Sequence, residues 1–305
     1  MSAGRMHADE ADIDASLVRR LIAAQLPHWA RLPIEAVESA GTDNALYRLG
    51  DDMVVRLPRV RGATAQVQLE HEWLPRLAPH LPLEIPTPLA SGVPAEGYPW
   101  PWTVHGWLEG ETASVDRLVD PRQAATDLGE FVAALQRIDA GGGTPPDSPR
   151  GRGLALRDAA ARDAIAALQG SFDADELTAA WDAALRVPAW QGPPVWIHGD
   201  LHPANLLAHR GRLSAVIDFG CVGVGDPACD LMPAWIVFSA ATRDAFRAAV
   251  PVDDATWARG RGWALSVGLI ALPYYETTNP AFARVARHAI EQAIADLGYL
   301  GERWV

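Results

Sequence analysis

The chain has 305 residues, 49% of them hydrophobic, so it can fill the cores of roughly two domains and is not expected to be disordered. Its 26 basic and 38 acidic side chains give a net charge of -12, which disfavours nucleic acid and anionic membranes as partners. Every base is arginine, and the absence of lysine excludes Schiff-base chemistry and a phosphate-binding loop that depends on lysine.

Neither a secretion signal nor a membrane anchor is predicted. The longest stretch without a charged side chain, 262–275, is shorter than the roughly 20 apolar residues of a membrane-spanning helix. Acids rather than a basic cluster occupy the first 16 residues. The two cysteines, Cys221 and Cys229, form no disulfide framework. We therefore expect a cytoplasmic protein, whose oligomeric state the sequence does not determine.

The first part of the chain has the pattern of a small antiparallel sheet. Apolar residues at four-residue spacing predict a helix from Asp14 to Leu26. Short apolar segments separated by turn residues predict strands at Ile34–Ala40, Ala45–Leu49 and Met53–Leu57. A helical pattern then runs from Ala63 until Pro75. A sheet with one helix is expected here.

The composition changes after a tryptophan-rich segment, 99–108. We place a domain division here, with 1–106 as the first domain and 107–305 as the second. The second domain is predicted to be mainly helical, and a segment rich in glycine and proline is predicted to be a flexible loop. The predicted helices are 121–138, 154–168, 173–185 and 282–297, and the loop is 140–152.

Two short apolar segments in the second half of the chain end in polar clusters. Residues 196–205 read WIHGDLHPAN and residues 216–220 read VIDFG, which places Asp200, Asn205 and Asp218 after apolar anchors. Either carboxylate alone would be an ordinary turn residue. Together they suit phosphoryl transfer, in which one group orients the attacking hydroxyl and two oxygen ligands hold magnesium.

The pattern H-G-D-x-x-x-x-N followed by I-D-F-G resembles the signature of the aminoglycoside phosphotransferase family, small-molecule kinases with macrolide-type relatives. The resemblance implies a two-lobed α+β fold similar to that of protein kinases. Its small N-terminal lobe, with an antiparallel sheet and one helix, would bind the nucleotide, and its large, mainly helical C-terminal lobe would catalyse. Asp200 would be the catalytic carboxylate, Asn205 and Asp218 would bind Mg2+, and ATP or GTP would be the co-substrate.

The resemblance also implies a nucleotide site in the first domain. Arg56 stands where the family normally has a lysine, and Glu70 would pair with it. Ser39 and Thr42, in the hairpin between the first two strands, would cover the phosphates, although the full glycine-rich loop is missing. A surface ion pair of little energetic value is the alternative for Arg56 and Glu70.

Two further residues have structural roles by resemblance. His198 would brace the catalytic loop, and Asp230 would tie that loop to the helix that follows it. A helix cap formed by Asp226 or Asp230 is equally compatible with the sequence. His198 and His202 also flank Asp200 in alternation, which suits a transition-metal hydrolase, but Pro203 ends any strand and no third histidine is near.

The expected reaction is transfer of the terminal phosphoryl group of ATP or GTP to a hydroxyl of a small molecule. Antibiotics of the aminoglycoside or macrolide type are the leading acceptors, followed by metabolite alcohols. The acidic balance would suit a cationic acceptor, with Glu276, Glu291 and Asp296 as candidate contacts. The alternative to an enzyme is a non-catalytic nucleotide-binding module. Arg56 in place of lysine and the incomplete glycine-rich loop favour this alternative.

Overall fold

The computed structural model describes residues 11–37, 44–113 and 118–302. The chain divides into two compact units. The first comprises residues up to 79 together with 84–110 and 215–220; all other residues belong to the second. The short segment 215–220, which carries Asp218, therefore belongs to the first unit although it lies far along the chain. The predicted division into domains at 106 and 107 stays a prediction.

The first unit contains a five-stranded antiparallel sheet in the order β1-β2-β3-β5-β4. Its strands are β1 (Ile34–Val37), β2 (Asn44–Leu49), β3 (Met53–Pro58), β4 (Pro88–Gly92) and β5 (Trp102–Gly106). The sequence predicted the first three, but the segment predicted to be strand after Val37 lies outside the described residues. Both β4 and β5 lie in a region rich in proline and tryptophan, which masks the alternation typical of strands.

Two α-helices accompany this sheet. Helix α1 (Ala15–Gln25) begins after Asp14, whose side chain accepts the N–H of Leu17 at 2.7 Å, as an N-cap does. Its apolar face belongs to the same core as the sheet. Helix α2 (Thr64–Leu77) was predicted to end at Pro75, but it continues to Leu77. A proline this close to the end removes a single backbone hydrogen bond and so does not terminate the helix.

The second unit contains short strands that frame a loop. Strand β7 (Val195–Ile197) pairs antiparallel with β10 (Gly223–Gly225). Strand β6 (Glu111–Thr112) pairs with β8 (Leu206–His209), which adjoins β9 (Arg212–Val216) in a three-stranded sheet; the last two residues of β9 already belong to the first unit.

Helices make up most of the second unit. They are α3 (Pro121–Arg137), α4 (Asp158–Ala167), α5 (Ala174–Arg186), α6 (Pro233–Ile236), α7 (Ala240–Ala249), α8 (Asp254–Tyr275) and α9 (Pro280–Glu302). Along α8 nearly every residue between Thr256 and Leu269 is buried, and Gly268 lets this helix approach the carbonyl of Ala286 on α9. Within the described residues, no helix combines the length and apolarity needed to cross a bilayer. The antiparallel sheet followed by mainly helical structure confirms the predicted α+β fold.

Candidate active site

A sharp turn follows β7 and carries the H-G-D motif. Gly199 has φ +82°, in the left-handed region. A Cβ at this position would lie 2.8 Å from the carbonyl oxygen of Cys221, closer than real side chains come. Glycine is therefore required here, both for its backbone angle and for the space available. The turn places Asp200 directly after the buried strand.

Asp230 holds this turn in place. Its carboxylate is fully buried and accepts the backbone N–H of His198 at 2.6 Å and that of Gly199 at 2.8 Å. Burial raises the pKa of Asp230 to about 7, although the two N–H donors act to lower it. Asp226, in contrast, accepts the N–H of Ala228 at 3.0 Å and caps the short helix Pro227–Leu231. The structure thus separates the two roles that the sequence left open.

Replacing Asp230 with asparagine is expected to destabilise the fold. An asparagine can accept one of the two backbone N–H groups, but it presents an NH2 group to the other. A buried donor without an acceptor costs about 1–3 kcal/mol, so the free energy of unfolding should fall by that amount. Chemical denaturation followed by tryptophan fluorescence measures this, with Asp163→Asn, an exposed aspartate on α4, as control. If both variants are as stable as the parent, the hydrogen bonds from His198 and Gly199 to Asp230 do not contribute to the free energy of unfolding.

Asp200 lies between basic and polar side chains. Its Oδ1 accepts a hydrogen bond from Nη2 of Arg150 at 2.9 Å, and its Oδ2 lies 3.4 Å from Nε2 of His202. Burial alone would raise the pKa of the Asp200 carboxyl, but Arg150 and the two neighbouring histidines outweigh it and hold that pKa well below its usual range. Asp200 is therefore a carboxylate at neutral pH. His198 braces the loop, as expected, because its Nδ1 accepts the backbone N–H of Asp200 at 3.2 Å.

Asn205 is buried and held against the same loop. Its Nδ2 donates to the backbone oxygen of Asp200 at 2.9 Å and lies 3.4 Å from Oδ2 of that residue. These contacts fix the amide so that its nitrogen faces the loop. No described group donates to Oδ1 of Asn205, which leaves a hard oxygen atom of the kind that magnesium prefers.

The histidines do not form the transition-metal site of the hydrolase alternative. Nδ1 of His198 is occupied by a backbone N–H, and Nε2 of His202 lies 3.2 Å from Nδ2 of Asn205. In the ranges that the structure describes, no three His, Cys, Asp or Glu side chains are grouped so that they could hold a metal ion.

In the first unit, Arg56 and Glu70 form the predicted pair. Nη1 of Arg56, on β3, donates to Oε2 of Glu70, on α2, at 2.7 Å. Their side chains are 13% and 3% exposed, so the pair is buried rather than the surface contact of the alternative. Burial opposes the charge of Arg56, but Glu70 and Asp218 offset it and raise the pKa of Arg56.

Asp218 lies beside this pair within the first unit. Its φ of +62° is in the left-handed region, which a non-glycine residue rarely adopts and which marks local strain. Its Oδ1 accepts a single, long hydrogen bond among the described residues, from the N–H of Gly220 at 3.4 Å. The carboxylate oxygens are therefore largely free to bind a ligand. Burial raises the pKa of Glu70, although Arg56 acts to lower it. Asp218 thus offers oxygen atoms suited to a divalent cation.

For other predicted site residues, the described part of the structure gives no contact with a candidate site. Ser39 and Thr42 lie outside the described residues. Asp296 is not available to a cationic ligand, because it pairs with Arg243 at 3.0 Å and Arg261 at 2.9 Å. Glu291 is an exposed residue of α9, and Glu276 is the exposed residue that caps the end of α8. Sequence reasoning missed one neighbour of Asp200 altogether, Arg150, because the surrounding glycines and prolines predicted only a flexible loop.

Comparison with known protein families gives one match. Residues 35–263 match the model of the phosphotransferase enzyme family, abbreviated APH. No curated protein sequence matches the chain at a significant level.

Solved structures of similar fold include aminoglycoside and macrolide phosphotransferases. The GDP complex of wild-type aminoglycoside 2'-phosphotransferase-IIIa is 19% identical, with a TM-score of 0.71 over 93% of this chain and 99% of that one. The GDP and kanamycin complex of APH(2")-IIia is 20% identical, with a TM-score of 0.71 over 92% and 98%. Macrolide 2'-phosphotransferase MphH from Brachybacterium faecium, solved as the apoenzyme, is 26% identical, with a TM-score of 0.58 over 91% and 97%.

Proposed function

Because the chain belongs to the phosphotransferase enzyme family, we propose that it is a small-molecule kinase. It transfers the terminal phosphoryl group of ATP or GTP to a hydroxyl of an antibiotic of the aminoglycoside or macrolide type, or of a metabolite alcohol. We assign the reaction to the cytoplasm, nucleotide binding to residues 1–106 and catalysis with acceptor binding to residues 107–305.

The loop around Asp200 is the observation that carries this proposal. It presents an ionised carboxylate, fixes Asn205 beside it, and is itself tied down by Asp230. Such a preorganised loop orients a reactant without rearrangement during the reaction. A turn that served folding alone would not need a partly buried carboxylate that is paired with an arginine.

On the nucleotide side, Arg56 takes the place of the lysine of the resembling kinases. Glu70 fixes the guanidinium, and Asp218 adds negative charge near it. Arginine binds phosphate through two parallel N–H groups, so the pair provides a rigid cation for the nucleotide phosphates. Ser39 and Thr42 would complete this site from the first hairpin.

In the reaction, the acceptor hydroxyl donates a hydrogen bond to Asp200, which directs its oxygen toward the terminal phosphorus. A bond forms between these atoms while the bond from phosphorus to the leaving diphosphate breaks, and the hydroxyl proton passes late in the step to the Asp200 carboxylate and from there to water. Because the pKa of Asp200 is lowered, the residue orients the hydroxyl rather than removing its proton early. A loose transition state needs little more, since the nucleophile carries only a small share of the bonding.

Magnesium fits the residues that would hold it. Asn205 Oδ1 and the carboxylate of Asp218 are hard oxygen atoms without strong internal partners among the described residues. When bound, the ion neutralises charge on the nucleotide phosphates.

The proposal predicts a reaction that depends on both nucleotide and magnesium. The purified protein is incubated with ATP or GTP, Mg2+ and a panel of hydroxylated antibiotics and metabolites, and the products are read by mass. At least one acceptor should gain a single phosphoryl group. If nucleotide binds but no acceptor is ever modified, the kinase proposal is wrong and a non-catalytic nucleotide-binding module takes its place.

A metal test accompanies it. Chelation should abolish transfer, and Mg2+ alone should restore it. Restoration only by Zn2+ would instead support a site built from soft or imidazole ligands.

A further inference from the structure

Arg150 is a partly buried cation in contact with the carboxylate of Asp200. Its Nη2 donates to Oδ1 of Asp200 at 2.9 Å, and its side chain is 16% exposed, compared with 27% for Asp200. Burial works against the charge of Arg150, but Asp200 outweighs it and raises the pKa of the guanidinium. Both groups are therefore ionised in the free protein.

The backbone around Arg150 is anchored rather than loose. The carbonyl of the next residue, Gly151, accepts the N–H of Asp226 at 2.8 Å. Gly151 has φ +69°, and any Cβ there would collide with the side chain of Ile197 on β7. The N–H of Arg150 itself bonds to Ser148 Oγ at 3.3 Å. A residue held this way has little conformational freedom to lose when it contacts Asp200.

The guanidinium of Arg150 has N–H donors without a strong acceptor among the described residues. Its Nη1 lies 3.7 Å from Sδ of Met232, and a thioether is a weak acceptor. Among the described residues, Asp200 is the one carboxylate that pairs with it. A second cation, Arg157, is close enough that burial first and Arg150 next lower the pKa of Arg157 to about 10. Positive charge therefore collects around the carboxylate that meets the acceptor.

We propose that Arg150 positions Asp200 and cancels its charge, and that this makes the enzyme prefer acceptors without dense positive charge. The inference rests on the proposed function and narrows its acceptor class. A lone carboxylate would draw a polyamine to itself, whereas an ion pair of zero net charge does not. The target hydroxyl then lies among neutral or anionic groups, and a polycationic aminosugar is a poor acceptor.

Three variants test this. Arg150→Met removes the charge but keeps an unbranched apolar stem, and Arg150→Lys keeps the charge but loses the planar fork. Arg152→Met is the matched control, because Arg152 is exposed in the same loop and its side chain has no ion-pair or hydrogen-bond partner among the described residues. Two readouts are used: phosphate release from ATP with water as acceptor, with kcat and KM separated, and equilibrium binding of kanamycin as a polycationic probe. Thermal unfolding shows whether each variant is folded.

In Arg150→Met we expect kcat to fall about tenfold or more with an unchanged KM for ATP, because only orientation is lost. Kanamycin affinity should rise about tenfold, because the charge of Asp200 is no longer cancelled. Arg150→Lys should recover part of kcat and bind kanamycin as weakly as the parent. If Arg150→Met does not fold, the lysine variant decides, with reduced kcat and unchanged kanamycin binding expected.

The proposal is overturned if Arg150→Met behaves like Arg152→Met in both readouts, or if the unaltered enzyme phosphorylates kanamycin as well as uncharged alcohols. A loss of ATP affinity in both Arg150 variants would also contradict the proposal, since Arg150 would then be a structural residue. Failure of the kinase proposal has a separate signature: no acceptor is phosphorylated, while the effect of Arg150 on kanamycin binding can still be measured.

Discussion

Asp200→Asn is expected to lower phosphoryl transfer by about 10²–10⁴-fold and to leave nucleotide affinity nearly unchanged. Asparagine has the same shape, so the loop keeps its form, but an amide is a much weaker acceptor for the hydroxyl than a carboxylate. Arg150 also loses its counter-ion, so the remaining oxygen is held less firmly. Initial rates with a saturating acceptor and isothermal titration of the nucleotide measure the two effects.

The control for this prediction is Asp147→Asn, which changes an exposed aspartate of the same unit that has no partner among the described residues. Its activity should equal that of the parent. Thermal unfolding of Asp200→Asn is measured in parallel, because an unpaired Arg150 destabilises the loop. A folded Asp200→Asn enzyme with normal turnover would remove Asp200 from the reaction.

Arg56→Met has the second large expected effect, and it acts on stability as well as on nucleotide binding. Removing one partner of a buried ion pair leaves the other charge uncompensated, which costs about 3–5 kcal/mol. Glu70 would be that charge, since its side chain is only 3% exposed. Nucleotide affinity should fall too, because the cation proposed to bind the phosphates is gone.

The double variant Arg56→Met with Glu70→Gln separates the two effects. Neutralising both residues should recover most of the lost free energy of unfolding, while nucleotide affinity stays low. Arg76→Met is the matched control, because Arg76 forms an exposed pair with Glu72 on α2. Surface pairs contribute about 0–1 kcal/mol, so this variant should be nearly as stable as the parent. Recovery of nucleotide binding in the double variant would show that Arg56 serves packing alone.

The sequence predicted the candidate site residues themselves better than the residues that hold them in place. Motif spacing was enough to single out Asp200, Asn205 and Asp218, because phosphoryl transfer restricts which residue types can stand there. Their roles stay predictions. The pairing of Arg56 with Glu70 also followed from position, and the structure adds that the pair is buried. The family resemblance and the fold class are confirmed by the family match and by the similar solved structures.

What the sequence could not show depends on contacts between distant segments. Arg150 lies 50 residues before Asp200, in a segment whose composition predicts only mobility. Asp226 and Asp230 are equally good helix caps on paper, and only the position of the turn at Gly199 distinguishes them. In the same way, 215–220 joins the first unit through tertiary contacts that no local pattern encodes.

The guanidinium on β3 changes which reagents can report on this enzyme. Covalent probes that label kinases by acylating the amine beside the nucleotide will find no ε-amino group anywhere in the chain. Occupancy of the site would have to be followed with dicarbonyl reagents selective for arginine, and Arg56 is shielded from these by its burial. Surveys based on amine acylation would therefore overlook an otherwise intact phosphotransferase.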